Sequence, residues 1–251
     1  YKAISRIFNI DEKLLKLDKI ALEKCGDAFK EIEEITEYNQ LKVLSAFINN
    51  GVSESYFAAS TGYGYDDRGR EILEKVMADC MGAEDSIIRH NFVSGTHTLS
   101  VALFGVLRPT DTVVCITGRP YDTIIGVFGF EGHVSGSLTD FGVEYHQVDL
   151  LPDGTPDINA IRAELAWGNY KMAYIQRSRG YSLRPSLTVD KIGELCSVVR
   201  ETSPNTVIMV DNCYGEFVEI VEPSDLGADM IVGSLIKNPG GGLAPIGGYI
   251  C

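Results

Sequence analysis

This 251-residue chain is short of several features that would decide its class at once. It has one tryptophan and four histidines, His90, His97, His133 and His146. None of the histidines stands beside cysteine or carboxylate at metal-ligand spacing, so no metal site is expected. The six cysteines contain no C-x-x-C pair, and several lie in apolar runs, the pattern of buried reduced thiols. Cations are scarce, with 22 Lys and Arg against 35 Asp and Glu. The resulting net charge of −13 argues against nucleic acid or an anionic membrane as partner, though local donors could still bind a phosphate. No apolar run reaches membrane-spanning length and no signal-peptide pattern opens the chain. The glycines never complete a G-x-G-x-x-G fingerprint, and a Walker P-loop is absent. With 45% apolar residues, the composition suits a cytoplasmic enzyme, and the length gives enough chain for one large core or one and a half domains.

What is present is a helical segment followed by alternating elements. Residues 1–60 form an N-terminal helical segment. The apolar spacing over Asp11 to Asn49 predicts two helices separated near Cys25-Gly26-Asp27. Residues 61–251 form a large α/β domain. Strands are predicted at Ile87–Phe92, Thr112–Thr117, Val143–Val148, Lys171–Gln176, Thr206–Val210 and Asp229–Gly233. Helices alternate with them at Thr96–Leu107, Tyr121–Phe130, Asp157–Ala166 and Thr188–Glu201. Such alternation implies a mainly parallel sheet, of seven-stranded type, with helices on both faces. Gly247–Cys251 reads as a strand that has only just begun.

The most informative residues sit at the ends of two of these strands. Thr206–Val210 delivers Asp211, then Tyr214, and Asp229–Gly233 delivers Ser234 and Lys237. The carboxyl ends of buried strands are where open α/β sheets place ligands. These four side chains are what a pyridoxal phosphate site requires. Lys237 would carry the cofactor as a Schiff base, and Asp211 would face the ring nitrogen and favour its protonated form. Tyr214 would bond the ring's phenolic oxygen and Ser234 the phosphate. Lysine suits the first role because, unlike arginine, it can give up its proton inside a pocket.

A phosphate cradle is predicted upstream, where Ser94-Gly95-Thr96 joins a strand to a helix and offers backbone N–H groups and the positive end of the helix dipole. An ordinary Ser/Thr N-cap is the competing reading. Tyr121 offers an aromatic face to the ring. Gln176 follows another strand and could contact the ring-oxygen side, with Arg177 or Arg179 reaching a carboxylate or phosphate; the residues do not rank them. Tyr65 or Arg68, in the loop from Gly62 to Arg70, could reach a phosphate. His97, near the proposed site, is read as a packing or hydrogen-bonding residue.

Ser94-Gly95-Thr96-His97-Thr98, Pro120-Tyr121-Asp122-Thr123, Val210–Phe217 and Gly233–Gly241, in that order, resemble the methionine gamma-lyase family, often labelled aluminium resistance proteins. That family is grouped with the cystathionine beta-lyase-like, Cys/Met-metabolism enzymes of pyridoxal phosphate fold-type I. The similarity runs from about Tyr63 to the last residue. It implies a carbon–sulfur lyase acting on a sulfur amino acid, with Lys237 as attachment, Asp211 as ring-nitrogen partner and Gly95, Thr96 and Ser234 as phosphate contacts. It also implies that Tyr121 stacks on the ring, and that Tyr65 and Arg68 cross to a neighbouring subunit in a homodimer or homotetramer with shared active sites. A further C-terminal small domain, which would hold the substrate carboxylate, is implied beyond this chain. The residues alone leave transamination, or an inactive scaffold, as alternatives. Nothing in them suggests binding of aluminium.

Overall fold

Strand residues here alternate between two apolar surfaces. Ile208 and Val210 face one way and Met209 the other; Ala173 and Ile175 oppose Met172 and Tyr174, and Val114 and Ile116 oppose Val113 and Cys115. A strand with apolar groups on both faces must be covered on both, so the sheet lies inside a three-layer sandwich. The computed structural model describes residues 2–61, 63–65 and 67–251.

The elements run α1 (Lys2–Ile7), α2 (Glu12–Asn49), α3 (Arg68–Met81), β1 (Ile87–Arg89), α4 (Gly95–Val106), β2 (Thr112–Cys115), α5 (Asp122–Phe128) and β3 (Glu144–Gln147). They continue with α6 (Ile158–Trp167), β4 (Met172–Gln176), α7 (Val189–Thr202), β5 (Val207–Asp211), β6 (Met230–Ser234) and β7 (Gly248–Ile250). The seven strands take the order β1-β7-β6-β5-β4-β2-β3. The run β6-β5-β4-β2-β3 is parallel, and β7 inserts antiparallel between β1 and β6. The protein thus has a seven-stranded, mostly parallel α/β sheet. Residues of α3, α6 and α7 cover one face and those of α4 and α5 the other.

The chain divides into two compact units, one ending at Lys42 and the other running from Val43 to Cys251. The two helices expected over Asp11 to Asn49 are a single helix of 38 residues. Gly26 does not break it, because one exposed glycine costs only about 1 kcal/mol and helix propagation is cooperative. Within the second unit the last turns of this helix pack on α3 through Ala46, Val76 and Cys80. The loop expected from Gly62 to Arg70 ends earlier, because α3 begins at Arg68, capped by Asp67.

Parallel register brings the site together. Gln176 lies opposite Asp211 across β4 and β5, and Asp211 opposite Val232, so Ser234 emerges two residues further along β6. All three sit at the carboxyl edge of the sheet, the edge at which open α/β sheets bind ligands.

Candidate active site

Asp211 ends β5 fully enclosed. The Cys213 backbone N–H donates to its Oδ1 at 3.1 Å, and the buried Tyr174 hydroxyl donates to Oδ2 at 3.3 Å. Burial pushes this carboxyl above the usual carboxylate range; the bonds from Cys213 and Tyr174 and the Lys237 charge pull it back. Tyr174 was not foreseen as a site residue. Its only signal in the sequence is a tyrosine alternating with apolar neighbours in a strand.

After Asp211 the chain turns sharply. Tyr214 and Phe217 adopt the left-handed region at φ 69° and 60°. Few non-glycine residues do so without support from surrounding contacts. That support is a buried polar network. Arg177 Nη1 donates to Asn212 Oδ1 at 2.8 Å and Nη2 to Glu219, while Asn212 Nδ2 donates to Glu222 Oε2 at 3.0 Å and the Phe217 N–H to Glu222 Oε1 at 2.8 Å. A Cβ on Gly215 would lie 2.3 Å from Arg177 Cδ, so glycine is needed where the turn crosses the guanidinium. Arg177 is therefore a brace of the turn rather than a ligand-binding arginine, a correction to one of the two roles left open by the sequence. Its charges are answered inside the protein.

The turn presents Tyr214, 57% exposed, to the other key residue. Lys237 Nζ donates to the Tyr214 hydroxyl and lies 4.2 Å from the centroid of its ring. Lys237 follows β6, where its N–H donates to the Ser234 carbonyl at 3.2 Å. Asn238 Nδ2 then donates to the Glu216 carbonyl at 2.9 Å, tying the lysine turn to the tyrosine turn. Glu216 itself is buried, accepts from the Tyr249 hydroxyl at 2.9 Å, and is pushed up by burial to about 8.

The start of α4 closes the edge. Ser94 caps the helix, its Oγ accepting from the His97 N–H at 3.2 Å. The N-cap reading of Ser94 thus holds, and its position at the helix mouth remains. A Cβ on Gly95 would stand 3.2 Å from Ser234 Cβ and 3.7 Å from Cys213 Sγ, so glycine lets the helix mouth approach both strand ends. Ser234 Oγ, fully buried, has long contacts of 3.4 Å, to the Gly247 carbonyl and from the Ile236 N–H. Thr96 Oγ1 meets Thr123 Oγ1 at 2.8 Å, joining α4 to the start of α5. His97 accepts from the Val93 N–H and packs edge-on against Phe92, a local role.

Tyr121 and Gln176 lie beside this edge. Gln176 Oε1 accepts from the Tyr121 N–H at 2.6 Å and its Nε2 donates to the Ser178 carbonyl at 2.9 Å, so both ends of the amide are engaged in placing Tyr121. The Tyr121 ring lies 5.4 Å from that of Tyr181. Arg184, also unforeseen, is buried nearby and donates to the Gln176 and Ser178 carbonyls. Tyr65 is 86% exposed, and Arg68 donates to the Tyr56 hydroxyl at 3.3 Å while stacking over its ring. Gly62 and Asp66 of the same predicted loop lie outside the described residues. Among the described residues no cluster of His, Cys, Asp and Glu could hold a metal, and no helix is long and apolar enough to cross a membrane.

The chain is similar to proteins of known sequence and structure. It is 50% identical over 240 residues to the uncharacterized protein YnbB of Bacillus subtilis (strain 168), covering 93% of this chain and 56% of that one. A crystal structure from Clostridium acetobutylicum, provisionally named a cystathionine beta-lyase involved in aluminum resistance, superposes with TM-score 0.94 at 47% identity, over 100% of this chain and 60% of that chain. A carbon-sulfur lyase involved in aluminum resistance from Clostridium novyi NT gives TM-score 0.93 at 43% identity, over 99% of this chain and 59% of that chain. The chain thus spans somewhat under two thirds of the length of these relatives. The sequence profile of the family described as methionine gamma-lyase matches residues 14–251. With nearly the whole chain matched and the sheet edge built as described, the protein belongs to the methionine gamma-lyase family.

Proposed function

We propose that this chain carries the cofactor-binding part of a pyridoxal phosphate-dependent carbon–sulfur lyase of fold-type I, acting on a sulfur amino acid. The observation that carries the reading is the convergence at one sheet edge of Lys237 Nζ on the Tyr214 hydroxyl, the enclosed Asp211 carboxylate, and the Gly95–Ser234 contact at a helix mouth. The donor set fits the cofactor. Ser94, Gly95, Thr96 and Ser234 gather hydroxyls and a helix N-terminus suited to a phosphate. Asp211, driven toward its neutral form by burial, would be favoured in its charged form by a cationic ring nitrogen. When bound, pyridoxal phosphate supplies the electron sink that lets bonds at the substrate carbons break.

The protein's own residues account for the proton traffic. Lys237 Nζ would hold the cofactor, and as a free amine it can take and return the substrate's proton. Tyr214 Oη holds that nitrogen in place and can take or return its proton. Tyr121, fixed through its N–H by Gln176, provides the aromatic wall. On this reading Tyr65 and Arg68 serve the phosphate of a second copy, and the protein should sediment as a homodimer or homotetramer.

The test is a visible absorption spectrum, borohydride reduction and peptide mapping. A pyridoxyl adduct is expected on Lys237, and Lys237→Ala should be folded but colourless. Retained colour and labelling in Lys237→Ala would overturn the assignment.

A further inference from the structure

On the lyase reading Asp211 must face a cationic ring nitrogen, and a carboxyl group enclosed by protein does not keep its charge unaided. Its support comes from β4 and the loop that follows. Tyr174 lies two residues before the end of β4, on the sheet face that Met209 and Asp211 share, and is fully buried. Its ring packs edge-on against Phe128 at 5.4 Å, which holds the hydroxyl where it donates to Asp211 Oδ2 at 3.3 Å.

Arg184 stands behind this pair. Its Nη2 donates to the carbonyls of Ser178 and of Gln176, the register partner of Asp211, at 2.5 and 2.9 Å, so the guanidinium sits at the carboxyl end of β4. It is buried, and among the described residues neither Arg184 nor Asp211 joins an ion pair. Two opposite charges that each lack a bonded counter-charge still attract beyond bonding distance where water does not screen them. Burial works against the charge of Arg184, and Asp211 and then Tyr174 sustain it.

The other ionisable groups around Asp211 do not take this part. Cys213 is a neutral donor, and Glu216 carries charge of the same sign as Asp211. Lys237 attracts the carboxylate, but its nitrogen is the one that would hold the cofactor and move protons. Arginine stays charged where lysine does not, so Arg184 is the fixed cation of the group.

We propose that Tyr174 and Arg184 are positioning residues for Asp211, the hydroxyl fixing the orientation of its carboxylate and the guanidinium keeping it charged before a ring nitrogen arrives. The purpose of this arrangement rests on the lyase reading above. The coupling of the three side chains does not.

The test uses the full-length protein freed of cofactor, with the Asp211 carboxyl titrated by infrared difference spectroscopy and Asp211→Asn as the blank. Tyr174→Phe keeps the ring and its packing and is the deciding variant. Arg184→Gln removes the charge but leaves a donor for the carbonyls, whereas Arg184→Lys keeps the charge. Loss of a group that favours the carboxylate moves its titration to higher pH, so Tyr174→Phe and Arg184→Gln should each tighten proton binding at Asp211 about tenfold, with Arg184→Lys close to wild type. In equilibrium dialysis at neutral pH the first two variants should hold pyridoxal phosphate several-fold more weakly, and the deficit should close as pH rises. An unchanged titration in Tyr174→Phe, or equal titrations in Arg184→Gln and Arg184→Lys, overturns the proposal. So does a shifted titration with unchanged affinity for pyridoxal phosphate. Shifted titrations in a protein that forms no pyridoxyl adduct on Lys237 keep the coupling and overturn the lyase reading instead.

Discussion

Glu216 provides a sharp test of the packing behind the turn. Its carboxyl is enclosed between the 212–217 turn, β6 and β7, with Oε1 on the Tyr249 hydroxyl and Oε2 buried without a partner among the described residues. Burial raises it from 4.5 to about 8. Below pH 4.5 the group is protonated in both folded and unfolded chains and has no linkage effect. As pH rises from 4.5 to 8 the unfolded chain releases a proton that the folded chain keeps, so stability falls across that window and levels off above it. At 1.36 kcal/mol per pH unit the gap bounds the loss at roughly 5 kcal/mol, and relaxation around the site should leave about 2–3 kcal/mol. Glu216→Gln removes the titration and keeps the acceptor for Tyr249. Its amide N–H₂ takes the place of the unpartnered oxygen, at a cost that does not vary with pH. Urea denaturation of wild type and variant at pH 5 and pH 8 isolates the titration, because the fixed cost cancels. The variant should gain about 2–3 kcal/mol on wild type between the two pH values, with matched m values. An equal difference at pH 5 and pH 8 would show that Glu216 is solvated and refute the account of the turn.

Arg177→Met should cost about 3–5 kcal/mol in urea denaturation, since Glu219 and Glu222 lose the cation that answers them inside the fold; a loss under about 1 kcal/mol would contradict the brace. Gly240→Ala would set a Cβ 1.7 Å from the Leu235 carbonyl oxygen just after Lys237, so it should lower stability by about 1–3 kcal/mol or more and reduce folded yield on expression. On the lyase reading Asp211→Ala should retain some cofactor by absorbance yet lose most thiol or keto-acid release, and full turnover would argue against its role at the ring nitrogen.

The strand and helix pattern of the α/β region was legible because buried parallel strands read as apolar runs bounded by turns. Predicted and observed β4, β5 and β6 differ by one residue at their ends. The placement of Asp211, Ser234 and Lys237 beside one another was legible too, because strand ends of a parallel sheet converge on one edge whatever the details of packing. The single helix through Gly26 was not, since local propensity at one residue is outweighed by cooperativity over 38. Nor was the insertion of β7 between β1 and β6, which brings together segments more than 150 residues apart in the chain.

The amino-acid sequence alone determined the alternation of elements, the apolar faces and the candidates at the strand ends, all of which depend on residue type and spacing along the chain. Tertiary structure decided which polar groups answer which. Arg177 became a brace because Asn212, Glu219 and Glu222 surround it, while Arg184 turns back onto the Gln176 and Ser178 carbonyls. The two arginines are seven residues apart and indistinguishable by type. Burial and neighbours, set by how distant segments pack, give the two guanidinium groups different partners.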